Sequence, residues 1–280
     1  MTFREIIQNK PFAIILTSGN LKPFDILEKE LCIKFNVRFE NNHLINDDQF
    51  KFTIITGAEY KNQVKEFKFD FYNRNNEEMI LSLGNLLINL CKLNNNGGIL
   101  VFFPSYAFLN KCYTIWNSNE INKKIEQYKS INIDSYSFNL LPNKIMKSDN
   151  KNFILFSVYR GSSSEGIDFS YDNARMVICI GVPFANVGSD IIKKKLEYLT
   201  NQNNSIYSRN QWYEADAMIN VNQSLGRVIR NKNDYGVMIC IDKRYISIKN
   251  LFSNWMTKNL EIKSLKENDD YFKELNYIPL

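Results

Sequence analysis

The sequence is poor in metal-binding side chains, with one histidine and five cysteines in 280 residues. The cysteines lie far apart, each inside an apolar stretch, and no Cys-x-x-Cys pair occurs among them: Cys32, Cys91, Cys112, Cys179 and Cys240. This spacing excludes a zinc site of the Cys/His type, and the lone histidine excludes chemistry that needs several imidazoles. Isolated thiols of this kind predict reduced, buried core residues of an intracellular protein.

Long apolar runs are also missing, since none reaches the roughly 18 residues that span a bilayer. Arg4 and Glu5 precede a short apolar run without a small-residue cleavage site, so we expect neither a membrane segment nor a secretory signal. Hydrophobic residues make up 44% of the chain, which excludes disorder. The net charge of +5 permits an anionic partner without requiring one.

No phosphate-binding loop of the form GxxxxGK[S/T] is present, because no glycine precedes a lysine. No paired acidic motif stands at a predicted strand end to hold magnesium. Any nucleotide site in this chain therefore lacks the parts that usually grip the phosphates and their metal ion.

Continuous apolar runs alternate with helical patterns, which is typical of a mainly parallel sheet covered by helices on both faces. Strands are predicted at residues 12–16, 52–55, 99–103, 153–158, 176–180 and 237–241, with an exposed or edge strand at 66–72. Helices are predicted at residues 23–33, 77–93, 106–116, 190–199, 211–230 and 251–260. Residues 128–152 form a poorly patterned connection. We expect one α/β domain over residues 1–280.

The helix predicted at 211–230 carries a polar stripe of Gln223, Arg227 and Arg230 opposite an apolar stripe. Gly226 borders the polar stripe, where a missing side chain would let a ligand approach. Two arginines three residues apart repel weakly unless an anion lies between them, and their planar groups suit phosphate. The alternative is a solvated polar face.

Two further segments follow predicted strands, where ligands bind in open α/β sheets. In residues 159–169, glycines permit tight backbone geometry, and Glu165 and Asp168 can accept a ribose hydroxyl or metal-bound water; the alternative is an ordinary polar turn. In residues 101–106, Ser105 is a predicted helix N-cap and Tyr106 can stack on a base. Here the alternative is a capped helix with aromatic residues in the core.

Taken in order, these segments resemble the second motor domain of the XPD-like iron–sulfur helicases of superfamily 2. Residues 220–230 match helicase motif VI through Gln223-x-x-Gly226-Arg227-x-x-Arg230, and residues 159–169 match motif V. Residues 98–106 match the motif IV region, and residues 16–21 match a motif III-like segment in which Asn20 replaces the usual threonine. Residues 181–186 and 241–245 resemble the chromosome-loss branch, whose members act in sister-chromatid cohesion.

The resemblance implies a RecA-like α/β fold and an ATP-dependent 5′→3′ DNA helicase with ATP bound between two such domains. In that family the first domain carries the phosphate-binding loop, the acidic magnesium motif and a four-cysteine module for a 4Fe-4S cluster, and none of these is in this chain. The implied partners are single-stranded or forked DNA, an N-terminal helicase half in cis or in trans, and replication or cohesion proteins. A nuclear DNA-repair role without a membrane is implied as well.

The resemblance also implies roles for single residues. Arg227 and Arg230 would be arginine fingers, and Gln223 would orient the γ-phosphate or the attacking water. Nucleotide contacts are implied for Glu165, Gly166, Asp168 and Gly226, and contacts to the DNA backbone for Ser105, Tyr106, Arg160 and Ser162. Ser162 stands where relatives often have lysine, which removes one phosphate contact.

Two other readings remain open from the sequence. A non-catalytic module that binds single-stranded nucleic acid or a protein is suggested by the basic excess, by residues 193–195 and by the aromatic content. The second reading is an unrelated α/β enzyme whose motif matches arise by chance.

The missing phosphate-binding loop generates the first prediction. The purified 280-residue chain should neither hydrolyse ATP nor bind it tightly, because its arginines would hold only one side of the nucleotide. Phosphate release with and without single-stranded DNA measures this. DNA-stimulated hydrolysis by the chain alone would refute it.

Overall fold

The computed structural model describes residues 3–18, 21–41, 45–93, 97–134, 152–161, 169, 171–201, 209–266 and 269–275. The strands within these ranges are β1 Phe50–Tyr60, β2 Gln63–Glu66, β3 Ile99–Phe103, β4 Ser130–Ile133, β5 Phe153–Val158, β6 Met176–Ile180, β7 Gly236–Ile241 and β8 Leu260–Leu265. These eight strands form one sheet in the order β2-β1-β7-β6-β3-β5-β4, and β8 pairs with β1 beside this path. Every pairing is parallel except that of β1 with β2.

Nine α-helices lie within the described ranges: α1 Phe3–Gln8, α2 Phe24–Leu31, α3 Glu77–Leu93, α4 Tyr106–Ser118, α5 Ile121–Glu126, α6 Asp190–Asn201, α7 Arg209–Leu225, α8 Asn254–Thr257 and α9 Asp270–Leu275. Three short 3₁₀ helices cover Tyr171–Asn173, Lys243–Ile246 and Lys249–Leu251. None of these helices is long and apolar enough to cross a bilayer. The predicted arrangement, a mainly parallel sheet between helices, is confirmed.

The central strands are continuous in hydrophobicity because both faces of the sheet are covered. Every residue of β3, β5, β6 and β7 is buried. Side chains alternate between two cores, so Val101 of β3 packs in the layer of α3, α4 and α5, whereas Phe102 packs in the layer of α7. A smaller apolar cluster joins α2, α6 and the first half of α7.

The strand predictions fail at the sheet edges and outside it. Residues 12–16 are not a strand, and Phe12 and Ile15 are exposed. The edge strand predicted at 66–72 is wrong, because β2 ends at Glu66, Phe67 and Phe69 are buried beyond it, and Phe71 is exposed. Three strands were not predicted: β2, β4 inside the connection 128–152, and β8, which begins at the last residue of the helix predicted at 251–260. All three are short and partly exposed, so their apolar signal is weak.

Two helix predictions and one cysteine also need correction. The helix predicted to reach residue 230 ends at Leu225, and the one predicted at 251–260 contains only Asn254–Thr257 as α-helix. Four cysteines are buried as expected, but Cys32 is exposed at the end of α2, where its φ of 55° is left-handed.

Lys129 is a buried lysine just before β4, with 1% of its surface exposed. Its Nζ donates a 2.8 Å hydrogen bond to the carbonyl oxygen of Gly97, which fixes the approach to β3. Burial lowers the pKa of Lys129 to about 8 because the charged form loses its hydration.

The lowered pKa predicts a pH-dependent stability. Below about pH 8 the folded protein holds a buried ammonium at a cost, and this cost disappears as the pH rises from 8 towards the ordinary value of 10.5. The free energy of unfolding of the wild type should therefore rise relative to Lys129→Met by about 2–3 kcal/mol between pH 7 and pH 10. Urea unfolding at both pH values measures this, with the exposed Lys258→Met as control. A difference that does not change with pH would contradict the assignment.

Candidate functional site

The predicted site residues within the described ranges fall into two groups, which lie at opposite ends of the parallel strands. Ser105, Tyr106 and Arg160 follow the ends of β3 and β5, at what we call the strand-end edge. Arg227 and Arg230 lie between α7 and the start of β7, at the strand-start edge. Helix α7 runs from one edge to the other.

Ser105 is the N-cap of α4, as predicted. Its backbone is extended, and its Oγ accepts a hydrogen bond of 3.2 Å from the backbone N–H of Phe108. Both Ser105 and Tyr106 are half-buried. The backbone N–H of Tyr159 donates to the carbonyl oxygen of Phe103 at 3.1 Å, which continues the pairing of β3 with β5 beyond the strands. The two segments predicted to contact DNA are therefore held side by side.

Arg160 turns the chain sharply after β5. Its φ of 61° is left-handed, a conformation that costs most residues about 1 kcal/mol. Its guanidinium forms an ion pair of 2.5 Å with Asp216 of α7 while staying partly exposed. The next residue must be small, because a Cβ on Gly161 would lie 2.9 Å from the carbonyl oxygen of Val158 and 3.1 Å from the hydroxyl of Tyr106. The conformation of Arg160 thus depends on α7 and on Tyr106.

A buried polar network supports this edge beneath Arg160. The hydroxyl of Tyr245 donates to the carbonyl oxygen of Gly181 at 2.6 Å and lies 3.5 Å from the hydroxyl of Tyr159. Burial raises the pKa of both tyrosines well above the ordinary value, so they stay neutral hydrogen-bonding groups. Asp242 is fully buried directly after β7 and accepts hydrogen bonds from the backbone of Phe69 and from Arg244.

The end of α7 corrects the geometry predicted for the motif VI segment. The helix tightens at its end, where Arg227 N–H bonds to Ser224 and Val228 N–H bonds to Leu225. Gly226 is therefore a turn residue and not an interior helix residue. Gln223 and Arg230 are exposed, but Arg227 is buried with 6% of its surface accessible. The single polar stripe predicted for the three residues is wrong, because the helix that would align them ends at Leu225.

Arg227 is directed towards the motif V segment. Its guanidinium carbon lies 5.9 Å from the centre of the Phe169 ring, within the range of a cation–π contact. Phe169 is the last residue of motif V and is itself buried in the core layer of α7. The motif V and motif VI segments therefore meet through this pair, whose members lie 58 residues apart in the sequence.

Arg230 is held by a buried ion pair behind it. Its backbone N–H donates to Asp234 at 2.8 Å, and the same carboxylate lies 3.3 Å from the guanidinium of Arg175. Asp234 is fully buried, and Arg175 is also bound to the more exposed Asp172 and stacks on Tyr235 at 3.8 Å. Val228 packs against Gly236, so the turn is fixed to the first residue of β7.

Four predicted site residues lie outside the described residues: Ser162, Glu165, Gly166 and Asp168. Asn20 of the motif III-like segment does too. Within the described residues, no group of three or more His, Cys, Asp or Glu side chains could hold a metal ion.

Sequence reasoning missed the acidic residues that position the predicted basic ones. Asp216 lies 56 residues from Arg160, so no local pattern pairs them. Asp234 lies only 4 residues after Arg230, whose backbone N–H it accepts, but its own partner Arg175 is 59 residues away. Asp242 carries a usable signal, because it directly follows a buried strand.

Comparison with known proteins gives one family and one fold. A family model described as the helicase C-terminal domain matches residues 87–259, more than half of the chain. A regulator of telomere elongation helicase 1 homolog from Aedes aegypti is 37% identical over 269 residues, which is 92% of this chain and 26% of the relative. The homolog from Anopheles gambiae is 34% identical over 95% of this chain and 28% of its own length. The chain spans about a quarter of the length of these relatives.

Solved structures agree on the fold. An XPD helicase structure superposes with a TM-score of 0.59 at 20% identity, covering 92% of this chain and 44% of that chain. An XPD structure in its apo form gives 0.58 at 18% identity, covering 93% and 50%. Yeast Dbp5 bound to RNA and ADP BeF3 gives 0.51 at 14% identity, covering 99% and 58%. The predicted RecA-like fold of a helicase motor domain is confirmed.

The buried ion pair at the strand-start edge generates a stability prediction. Arg175→Met should cost about 3–5 kcal/mol of unfolding free energy, because Asp234 would remain buried without its cation. The matched control is Asp172→Ala, which removes the exposed partner of the same arginine and should cost less than about 1 kcal/mol. Urea unfolding of the three proteins measures both. Equal losses in the two variants would contradict the role given to Asp234.

Proposed function

The chain belongs to the helicase C-terminal domain family, and from that premise we propose that it is the second motor domain of an ATP-dependent DNA helicase. In this proposal the chain contributes one side of an ATP site whose other side is a first motor domain carrying the phosphate-binding loop. The observation that carries the proposal is the meeting of Arg227 with Phe169, because it joins the motif VI segment to the motif V segment beside the turn that holds Arg230.

At the ATP site, Arg227 and Arg230 are the proposed arginine fingers. Hydrolysis builds negative charge on the γ-phosphate oxygens, and planar guanidinium groups stabilise that charge in a site that excludes water. Arg230 is exposed on a turn fixed by Asp234, which suits a group that reaches across an interface. Gln223, exposed in the last turn of α7, would orient the γ-phosphate or the attacking water. Glu165, Gly166, Asp168 and Gly226 are proposed nucleotide contacts.

Ser105, Tyr106 and Arg160 at the strand-end edge are proposed to hold the backbone of single-stranded DNA without reading its sequence, and Ser162, which lies outside the described residues, is proposed for the same role. The ion pair of Arg160 with Asp216 gives this edge a direct contact with α7. Since α7 leads into the turn with Arg227 and Arg230, a shift of this helix would move both groups of residues together.

Several properties are proposed for the whole protein and not for this chain alone. They are 5′→3′ movement, a Mg²⁺ ion and a 4Fe-4S cluster supplied by the first half, single-stranded or forked DNA as substrate, and a DNA-repair role in the nucleus. Replication and cohesion proteins are the proposed partners. The relatives described above are telomere elongation regulators, and the resemblance to the chromosome-loss branch stays a prediction.

The alternative, a non-catalytic binding module, loses part of its support in the structure. Two of the three lysines at residues 193–195 are already ion-paired, Lys193 with Asp190 and Lys195 with Glu30. Lys195 also lies over the Trp212 ring at 4.4 Å. This run is therefore largely neutralised within the fold.

Removal of the exposed finger tests the proposal. In a two-motor protein that contains this chain, Arg230→Ala should lower the ATP turnover number by about 10³–10⁵-fold while leaving the unfolding free energy nearly unchanged. Arg227→Lys keeps the charge of the buried finger but loses its fork geometry, so it should also lower turnover strongly.

The matched control is Lys232→Ala, an exposed cation in the same turn with no proposed role. Steady-state hydrolysis with saturating DNA measures all three variants. Wild-type turnover in Arg230→Ala would contradict the assignment of Arg230 as an arginine finger. A comparable loss of turnover in Lys232→Ala would show that the positive charge of the turn matters and not the position of Arg230.

A further inference from the structure

A basic pocket lies away from both groups of predicted site residues. It has a volume of about 330 Å³ between α3 and the ends of β1 and β8, with α5 and α9 at its rim. Four lysines from four different elements line it: Lys61, Lys92, Lys124 and Lys266. Glu59 is the one carboxylate among the lining residues in the described part of the chain. We call this the β1–α3 pocket.

Several lysines elsewhere in the described structure form direct ion pairs: Lys65 with Glu78 at 2.7 Å, Lys123 with Glu120 at 3.0 Å and Lys273 with Asp270 at 2.8 Å. Within the described ranges, no carboxylate forms such a direct pair with any of the four pocket lysines. Carboxylates nearby offset part of their charge, because Lys61 adds to the effect of Lys65 in lowering the pKa of Glu78, and Lys124 adds to that of Lys123 in lowering the pKa of Glu120. The lining still holds four cations and one carboxylate, and an anion that binds among the lysines relieves their mutual repulsion.

Helix α3 adds neutral donors to the same wall. It is buried along most of its length, but Asn85, Asn89 and Lys92 follow one another at i, i+4 and i+7 and line the pocket. Amide and ammonium groups both donate hydrogen bonds to phosphate oxygens. The turn before β2 contributes Lys61 in a left-handed conformation with a φ of 51°, where glycine or asparagine is usual.

Two half-buried aromatic rings complete the pocket. Tyr60 ends β1 and Phe272 belongs to α9, and both line the pocket with one side packed against the core. Lys61 Nζ lies 5.2 Å from the centre of the Tyr60 ring, so a cation and a ring face stand together at this wall. Lysines that follow a phosphate chain and aromatic faces that stack on bases are the combination that binds single-stranded nucleic acid without sequence preference. A pocket for a free inorganic anion has no need of the rings.

We propose that the β1–α3 pocket is a second binding site for single-stranded nucleic acid, separate from Ser105, Tyr106 and Arg160. Its lysines hold backbone phosphates, and Tyr60 and Phe272 stack on bases. The inference rests on the proposed function in taking a nucleic acid strand as the source of the phosphates. It adds a contact that would hold a strand outside the path between the motor domains.

The test measures the binding of a fluorescein-labelled oligothymidylate of about 12 nucleotides to the 280-residue chain by fluorescence anisotropy, without ATP. The triple variant Lys61→Ala, Lys92→Ala and Lys266→Ala should weaken binding at least about tenfold and lower the slope of log K against log salt by about 2. The matched control triple is Lys232→Ala, Lys249→Ala and Lys258→Ala, which removes the same charge from exposed positions elsewhere and should change both quantities little. Thermal unfolding checks that all variants are folded.

Four outcomes would overturn the proposal: no binding by the wild type at low salt, unchanged binding in the pocket triple, equal losses in the two triples, and complete displacement of the oligonucleotide by millimolar inorganic phosphate. The test is independent of the ATP site, because Arg230→Ala should leave oligonucleotide binding unchanged. A loss confined to the pocket triple would support this site even where the hydrolysis experiment fails.

Discussion

The packing of α7 against one face of the sheet is the constraint on which the rest of the site depends. Met218, Val221 and Leu225 are fully buried on that face, against strand residues such as Cys179 and Met238. Because this apolar stripe fixes the helix, Asp216 is held beside Arg160 at one edge of the sheet, and the turn after Leu225 is held at the other. Neither group of basic residues keeps its place if the helix shifts.

The sequence predicts the middle of the fold well and its margins poorly, and the reason is burial. Strands β3, β5 and β6 were predicted at their observed bounds because two covered faces leave an uninterrupted apolar run. Helix α3 was also predicted at its observed bounds, Glu77–Leu93, and it too is buried along most of its length. Strand β8 is only partly buried, and Leu265 is its one fully covered residue, so it lacks the apolar run that marks the central strands. The segment 12–16 is as apolar as a strand, but no neighbouring strand pairs with it.

At the candidate site, the motifs identified the basic residues but not their surroundings. The spacing of Gln223, Arg227 and Arg230 suggested one helix face, yet burial differs among them because the last helical turn tightens before Arg227. Arg227 meets Phe169 of the motif V segment, and Asp234, which binds the backbone of Arg230, is itself held by the distant Arg175. Pairings across fifty or more residues depend on tertiary packing, which a single sequence does not display.

The central claim is that this chain forms half of an ATP site with a first motor domain. The most direct measurement compares DNA-stimulated ATP hydrolysis by an isolated first motor domain of this family, which carries the phosphate-binding loop, with hydrolysis by the same domain joined to this chain. The account predicts little hydrolysis by the isolated domain and a large DNA-stimulated rate in the joined protein. Equal rates in the two proteins would contradict it.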